Sequence, residues 1–168
     1  MTTSTAVRSR INDTFRIAGG CSPGPKREAN FVRRIISCVR AGRTPWGAMQ
    51  YIREFEYGSG RTDVVTVVDD TALIAFEAKL ERWRDALYQA YRNRAFASES
   101  YVILPHRIAF KTLRNEWLFN QYGVGLCTVR QGEIRVLISS SREPPVLNWL
   151  AERALVTLRG PYGDRAAA

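Results

Sequence analysis

The chain has 168 residues, of which 45% are hydrophobic and 24% are charged, so it can fill the core of one domain and is not globally disordered. Its net charge is +9, and residues 1–61 hold eleven Lys and Arg against four Asp and Glu. This imbalance predicts a polyanionic partner, with nucleic acid ahead of an anionic membrane surface. No apolar run approaches the ~20 residues of a membrane span, and the first ten residues lack the apolar core of a secretory signal. We therefore expect a cytoplasmic protein with no membrane partner.

The cysteine and histidine content excludes several kinds of site. The three cysteines, Cys21, Cys38 and Cys127, are irregularly spaced, which fits neither a disulfide framework nor a zinc site. The single histidine, His106, excludes metal sites built on several histidines. We therefore expect free thiols and look for chemistry among the acidic residues.

The first elements are a tail, a helix and a strand. Residues 1–24 are rich in Ser, Thr and Arg and end in Gly and Pro, which predicts a flexible basic tail. Apolar residues at four-residue spacing predict a helix over 26–40. Residues 51–57 are predicted to form a strand with three aromatic side chains on one side, Tyr51, Phe55 and Tyr57.

Two apolar runs, 62–68 and 72–80, flank Asp69-Asp70 and predict a β-hairpin. Both faces of each run are largely apolar, which indicates a sheet covered on both sides. The predicted fold class is therefore α/β, with a mixed central sheet in a three-layer α/β/α core.

The later elements follow from the same patterns. Residues 82–97 have a strong apolar stripe and predict an amphipathic helix. We then expect a strand over 101–104 ended by Pro105, a helix over 108–120, a second hairpin over 124–129 and 134–138, and a last helix opened by Pro144-Pro145. These elements place a single domain at 25–160, followed by a flexible tail at 161–168. The four tryptophans are predicted to lie mostly in the core: Trp46, Trp83, Trp117 and Trp149.

The first hairpin carries the candidate chemistry. With its turn at about Asp70, facing residues have numbers that sum to about 140, so Asp63 falls opposite Glu77 on one face of the sheet. Lys79, two residues beyond Glu77, points to the same face. The neighbouring facing pairs on this face are apolar, so the three charged side chains are expected to cluster at the rim of the core.

Two carboxylates held this close repel each other unless a cation lies between them. Mg²⁺ prefers such oxygen ligands, so Asp63 and Glu77, with the backbone carbonyl of Ala78, are the candidate ligands, and Mn²⁺ can substitute. Lys79 is placed to hold the attacking water or to stabilise charge on the phosphate.

The chain resembles the PD-(D/E)xK nuclease superfamily in the order of its motif. An Asp lies on one strand, Glu77-Ala78-Lys79 follows on the hairpin partner, and an amphipathic helix comes next. The resemblance covers residues 26–130. It implies a restriction-endonuclease-like core and Mg²⁺-dependent hydrolysis of phosphodiester bonds, in DNA more than in RNA. Thr62 stands where the family name has Pro, which is a mild departure.

The resemblance also implies further site residues. Glu28 matches an acidic residue of the first helix that completes the metal shell in many members, with Glu54 and Glu56 as competitors. Gln89 matches a catalytic Gln of the recombination subgroup, although Tyr91 follows it at two residues rather than four. Four arginines are candidate contacts to nucleic acid: Arg61, Arg82, Arg84 and Arg92.

The sequence thus predicts a metal-dependent nuclease. No zinc finger or helix-turn-helix is recognisable, so we expect recognition of shape or ends, or targeting by a partner protein or through a homodimer. The alternative is a non-catalytic DNA-binding or protein-interaction module of the same fold. A general binder of polyanions or membrane surfaces is a third class.

Overall fold

The computed structural model describes residues 24–58 and 60–160, so both predicted tails lie outside the described residues, apart from Gly24. Six strands form one sheet in the order in which they occur along the chain. Their bounds are β1 (Tyr51–Tyr57), β2 (Gly60–Val68), β3 (Ala72–Ala78), β4 (Glu99–Pro105), β5 (Gly125–Arg130) and β6 (Glu133–Ile138).

Five α-helices flank this sheet within the described residues. They are α1 (Pro25–Arg40), α2 (Trp83–Asn93), α3 (His106–Thr112), α4 (Glu116–Tyr122) and α5 (Asn148–Arg159), with a 3-10 turn at Leu113–Asn115. None of these helices has the length and apolar character that a membrane crossing needs.

The sheet is mixed. Strands β1, β2 and β3 are antiparallel, β3, β4 and β5 are parallel, and β5 and β6 are antiparallel. One face packs against α1, while α2 to α5 supply apolar side chains to the other. Because apolar side chains leave both faces, each face must be covered. The predicted three-layer α/β/α architecture is confirmed.

The register of the first hairpin is also as predicted. Val65 pairs with Ala75 and Val67 with Leu73, so facing numbers sum to 140. Asp69 and Asp70, both with positive φ, form the turn. A shift of one residue would have moved every side chain to the opposite face; the pairing extends to Val64 and Phe76, the residues next to Asp63 and Glu77.

Three predicted helix boundaries were wrong. Helix α2 ends at Asn93, where tighter turns follow. The helix expected over 108–120 is divided because Thr112 donates its hydroxyl to the Ile108 carbonyl and Asn115 leaves the helical conformation, as short polar side chains often cause. Helix α5 begins only at Asn148, since the preceding residue, Leu147, has an extended ψ of 77°.

The predicted one-sided aromatic set of β1 was wrong as well. Glu54 has a φ of 53°, and this left-handed residue interrupts the alternation of side chains. Tyr51 therefore packs on the α1 side, whereas Phe55 and Tyr57 pack on the α5 side.

Two of the four tryptophans are not in the core. Trp117 and Trp149 are 64% and 60% exposed, whereas Trp46 and Trp83 pack against buried clusters. The two exposed tryptophans lie on α4 and α5, on the outer sides of those helices. The described cysteines, Cys38 and Cys127, are buried and unbridged, as predicted.

Candidate active site

A pocket of about 670 Å³ opens where the first hairpin meets α2 and α5. Five of the residues singled out from the sequence line it, namely Arg61, Asp63, Glu77, Lys79 and Gln89. Glu56, Tyr57, Gly58, Gly60 and Arg153 complete its wall. The pocket thus combines acidic, basic and amide side chains from five elements, namely β1, β2, β3 with the residue after it, α2 and α5.

Asp63 lies on β2 next to Val64, where the pairing with β3 ends, and is close enough to Glu77 for its charge to raise the pKa of that residue. Its Oδ2 atom accepts a hydrogen bond of 2.8 Å from the backbone N–H of Ala78. This bond ties the carboxylate to the end of β3 and leaves its other oxygen for the pocket.

Glu77 is the only charged side chain that is fully buried in the described residues, at 1% exposure. Its Oε1 accepts a hydrogen bond of 2.7 Å from Nδ2 of Asn93. Burying a carboxylate is costly unless it is paired or bonded, so its place on an otherwise apolar strand needs an explanation beyond packing.

The two carboxylates influence each other's titration. Burial first, and then the charge of Asp63, raises the pKa of Glu77 to about 8, while the Asn93 bond, Lys79 and Arg61 act to lower it. Burial also raises the pKa of Asp63, against the Ala78 bond and the charge of Lys79. Two close acids in a buried site cannot both ionise easily, so the pair holds a proton that a cation could replace.

Lys79 follows directly after β3 and reaches towards α1. Its Nζ lies 3.3 Å from Oε2 of Glu28, and both side chains are about three-quarters buried, with 22% and 30% exposure. The structure therefore brings Glu28 to the site, but as the ion-pair partner of Lys79. Of the competitors, Glu56 lines the pocket and Glu54 is exposed on β1.

The four arginines predicted to contact nucleic acid do not all lie at the pocket. Arg61 lines the pocket. Arg82 pairs with Asp85, and Arg84 lies 4.3 Å over the Trp83 ring; neither is among the pocket residues. Arg92 lines a neighbouring cleft that shares Tyr57 as a wall.

Sequence reasoning missed Arg153. This residue of α5 lines the pocket, donates a hydrogen bond to the backbone carbonyl of Glu56 and lies 5.1 Å over the Phe55 ring. Nothing in the local pattern of the last helix could have indicated it, because only the tertiary packing of α5 against β1 brings it to the site.

Sequence reasoning also missed Asn93. Gln89 and Asn93 are four residues apart on α2, so they share one helix face. Gln89 lines the pocket, and its buried Oε1 has no hydrogen-bond partner in the described residues. Asn93 is fully buried. A polar residue on the apolar stripe of an amphipathic helix was the available signal.

The donor set fits Mg²⁺. No three His, Cys, Asp or Glu side chains form a metal-binding group in residues 24–58 and 60–160. Mg²⁺, however, is commonly bound through one or two carboxylates and keeps several waters. Asp63, Glu77 and a backbone carbonyl meet that requirement, and burial is the main cause that raises the pKa of both acids, so a bound cation would favour their ionised forms.

By its fold the protein belongs to the class of three-layer α/β proteins with a mixed sheet. No family model matches the chain, and a search of curated proteins finds no match. The fold is similar to that of a solved structure, a protein of unknown function from Silicibacter pomeroyi, with a TM-score of 0.50 and 17% sequence identity. The match covers 84% of this chain and 95% of the other. At this identity the likeness concerns the fold alone.

Proposed function

We propose that the protein is a Mg²⁺-dependent nuclease of the PD-(D/E)xK type that hydrolyses phosphodiester bonds, in DNA more than in RNA. The observation that carries the proposal is the pair formed by buried Glu77 and half-buried Asp63, with Lys79 lining the same pocket and arginines in its wall. A pocket that holds an acidic pair together with Arg61, Lys79 and Arg153 suits a cation and a phosphate together.

Each side chain then has a distinct role. Asp63 and Glu77, with the carbonyl of Ala78, would hold the cation. When bound, Mg²⁺ supplies Lewis-acid stabilisation of the phosphodiester. Lys79 places an ammonium donor where negative charge grows on the phosphate, and the substrate phosphate would take the place of Glu28 as its partner.

The surrounding cations support binding rather than chemistry. Arg61 and Arg153, which come from β2 and α5, line the same pocket. Guanidinium groups bind phosphate oxygens with two parallel donors, so these two residues are suited to phosphates on either side of the bond that is cut. The net charge of +9 adds long-range attraction to the same substrate.

The test is a cleavage assay with Mg²⁺ or Mn²⁺ on linear, single-stranded and branched DNA and on RNA. Wild type should cut at least one substrate, and Lys79→Ala should lower the rate by about 10²–10³-fold, the usual effect of removing one group that stabilises transition-state charge. Lys111→Ala is the matched control, since Lys111 is exposed on α3 and lines a different cleft.

Identical behaviour of wild type and Lys79→Ala on every substrate would overturn the proposal. Metal-independent binding of DNA without cleavage would instead identify a non-catalytic binding module of the same fold. The chain carries three lysines. Removing Lys79 or Lys111 lowers the net charge by the same amount, so a difference between the two variants reports the position of the lysine and not its charge.

A further inference from the structure

The buried amide of Asn93 stands at the centre of a hydrogen-bond network behind the carboxylate pair. Its Oδ1 accepts from the Tyr57 hydroxyl at 2.7 Å and from the Thr62 hydroxyl at 2.8 Å. Its Nδ2 donates to Oε1 of Glu77 at 2.7 Å. One side chain thus joins β1, β2, β3 and α2 at a single point.

The network determines which way the amide faces. A carbonyl oxygen has two lone pairs, and two hydroxyl donors fill both of them at Asn93. When Glu77 is ionised, as a metal ligand must be, an amide rotated by 180° would place Oδ1 against the carboxylate, and two acceptors would meet. The carboxylate therefore selects the orientation of the amide, the two hydroxyls hold the amide in place, and the amide in turn holds one oxygen of Glu77.

The other oxygen of Glu77 is left for the pocket. The bond from Asn93 engages Oε1, and Glu77 itself lines the pocket. A carboxylate held by one oxygen cannot rotate freely about its last bond. Its second oxygen therefore has a defined position beside Asp63.

We propose that Asn93 is a positioning residue that holds the carboxylate of Glu77 in the orientation that binds a divalent cation together with Asp63. Tyr57 and Thr62 act one step further out, by holding Asn93. The inference rests on the proposed function for the identity of the cation site, but it concerns binding of the metal and is testable without any cleavage. Groups that orient metal ligands commonly change metal affinity when they are removed.

The experiment measures Mn²⁺ affinity of the full chain by titration calorimetry, without nucleic acid. Asn93→Ala and Asn93→Leu should weaken Mn²⁺ binding by about 10–100-fold, the usual loss when an outer hydrogen-bond partner of a ligand is removed. Leu has the branching and the number of side-chain heavy atoms of Asn but cannot donate, so it removes the hydrogen bond without the cavity that Ala leaves.

A second variant covers the case in which both substitutions fail to fold. Tyr57→Phe combined with Thr62→Val keeps Asn93 but removes both donors to Oδ1, so the amide can rotate. We expect a smaller loss of Mn²⁺ affinity, in the same direction. Thr128→Val is the matched control, because Thr128 is also buried and donates a hydrogen bond of 2.9 Å to the Leu104 carbonyl, away from the pocket.

The outcomes separate the two proposals. Weaker Mn²⁺ binding in the Asn93 variants with none in Thr128→Val supports the positioning role, even if wild type cuts no substrate. Wild-type Mn²⁺ affinity in folded Asn93 variants, or equal losses in Thr128→Val, would overturn it while leaving the nuclease proposal to the cleavage assay. Absence of Mn²⁺ binding by wild type would overturn the positioning role as well.

Discussion

Two antiparallel hairpins of the sheet, β2–β3 and β5–β6, differ in the burial of their charged side chains. In β5–β6 the charges point to solvent, and Glu133 forms a 2.8 Å ion pair with Arg135 in which both side chains are about half exposed. In β2–β3 Glu77 is fully buried and Asp63 is close to it. An exposed pair contributes about 0–1 kcal/mol, whereas an unbalanced buried charge costs several kcal/mol.

The turns do not explain this difference. Both hairpins turn through two residues of positive φ, Asp69-Asp70 in one and Gln131-Gly132 in the other, and both have antiparallel pairing. The backbones differ in that the first loop has a third residue, Thr71, and the second pairing has a register shift between Leu126 and Cys127, but neither difference calls for a buried acid. Strand formation does not require a buried acid. The buried Glu77 of the first hairpin therefore indicates a function, and the exposed charges of the second hairpin do not.

The largest expected effect is on cleavage. Asp63→Asn keeps an oxygen that can accept the Ala78 N–H but removes the negative charge that would hold a cation. We expect the rate to fall by about 10²–10³-fold with little change in folding. The assay is single-turnover cleavage of the best substrate at saturating Mg²⁺.

Glu133→Gln in the second hairpin is the matched control for that experiment. It removes one exposed carboxylate and one surface ion pair, so its cleavage rate should equal that of wild type. Equal losses in Asp63→Asn and Glu133→Gln would mean that the first hairpin has no special role, and the contrast between the hairpins would be structural only.

The next effect is on stability, and its sign follows from the raised pKa of Glu77. The pKa rises from 4.5 to about 8 on folding, so between these values the folded state keeps a proton that the unfolded state has lost. Stability is therefore full below pH 4.5 and falls as the pH rises towards 8. For each unit by which the folded-state pKa exceeds the unfolded-state pKa, the free energy of unfolding falls by about 1.4 kcal/mol between low pH and a pH above both values.

Glu77→Gln should remove this loss. Its amide oxygen still accepts from Asn93, but it never ionises. At pH 9 we expect the free energy of unfolding of the variant to exceed that of wild type by more than about 1 kcal/mol, so that the variant unfolds at a higher urea concentration. Near pH 4 the two free energies of unfolding should be equal. Parallel pH curves for variant and wild type, measured by urea unfolding, would contradict the raised pKa, and Glu133→Gln should follow wild type at every pH.

Much of the fold and part of the site could be predicted because they depend on local patterns. The alternation of Val65 and Val67 with their partners fixed the hairpin register, and the register alone placed Asp63 across from Glu77. The strand bounds of β1 and the turn at Gln131-Gly132 followed from similarly local signals. Pairing within a hairpin involves few residues and a short loop, so the sequence constrains it strongly.

The rest depended on packing between distant elements. Lys79 meets Glu28 only because α1 crosses the end of β3. Arg153 reaches the pocket only because α5 packs on β1. Asn93 stands out as a polar residue on the apolar stripe of α2, but its three partners come from three strands that only the tertiary fold brings together. Long-range contacts of this kind leave no periodic trace in a single sequence, so the acids could be predicted and their surroundings could not.

The smallest expected effect is on DNA affinity, and it tests whether the pocket beside the first hairpin binds phosphate. Arg153→Ala removes one guanidinium from the pocket wall and should weaken DNA binding roughly tenfold at 0.1 M salt, as loss of one phosphate contact does. The slope of log affinity against log salt should become shallower by about one, while kcat changes little because the group binds substrate away from the reacting atoms. Arg135→Ala, in the exposed ion pair of the second hairpin, should change neither quantity. If fluorescence anisotropy across a salt series gave the two variants the same slope, Arg153 would be a structural anchor of α5 and the substrate would lie elsewhere along the basic surface.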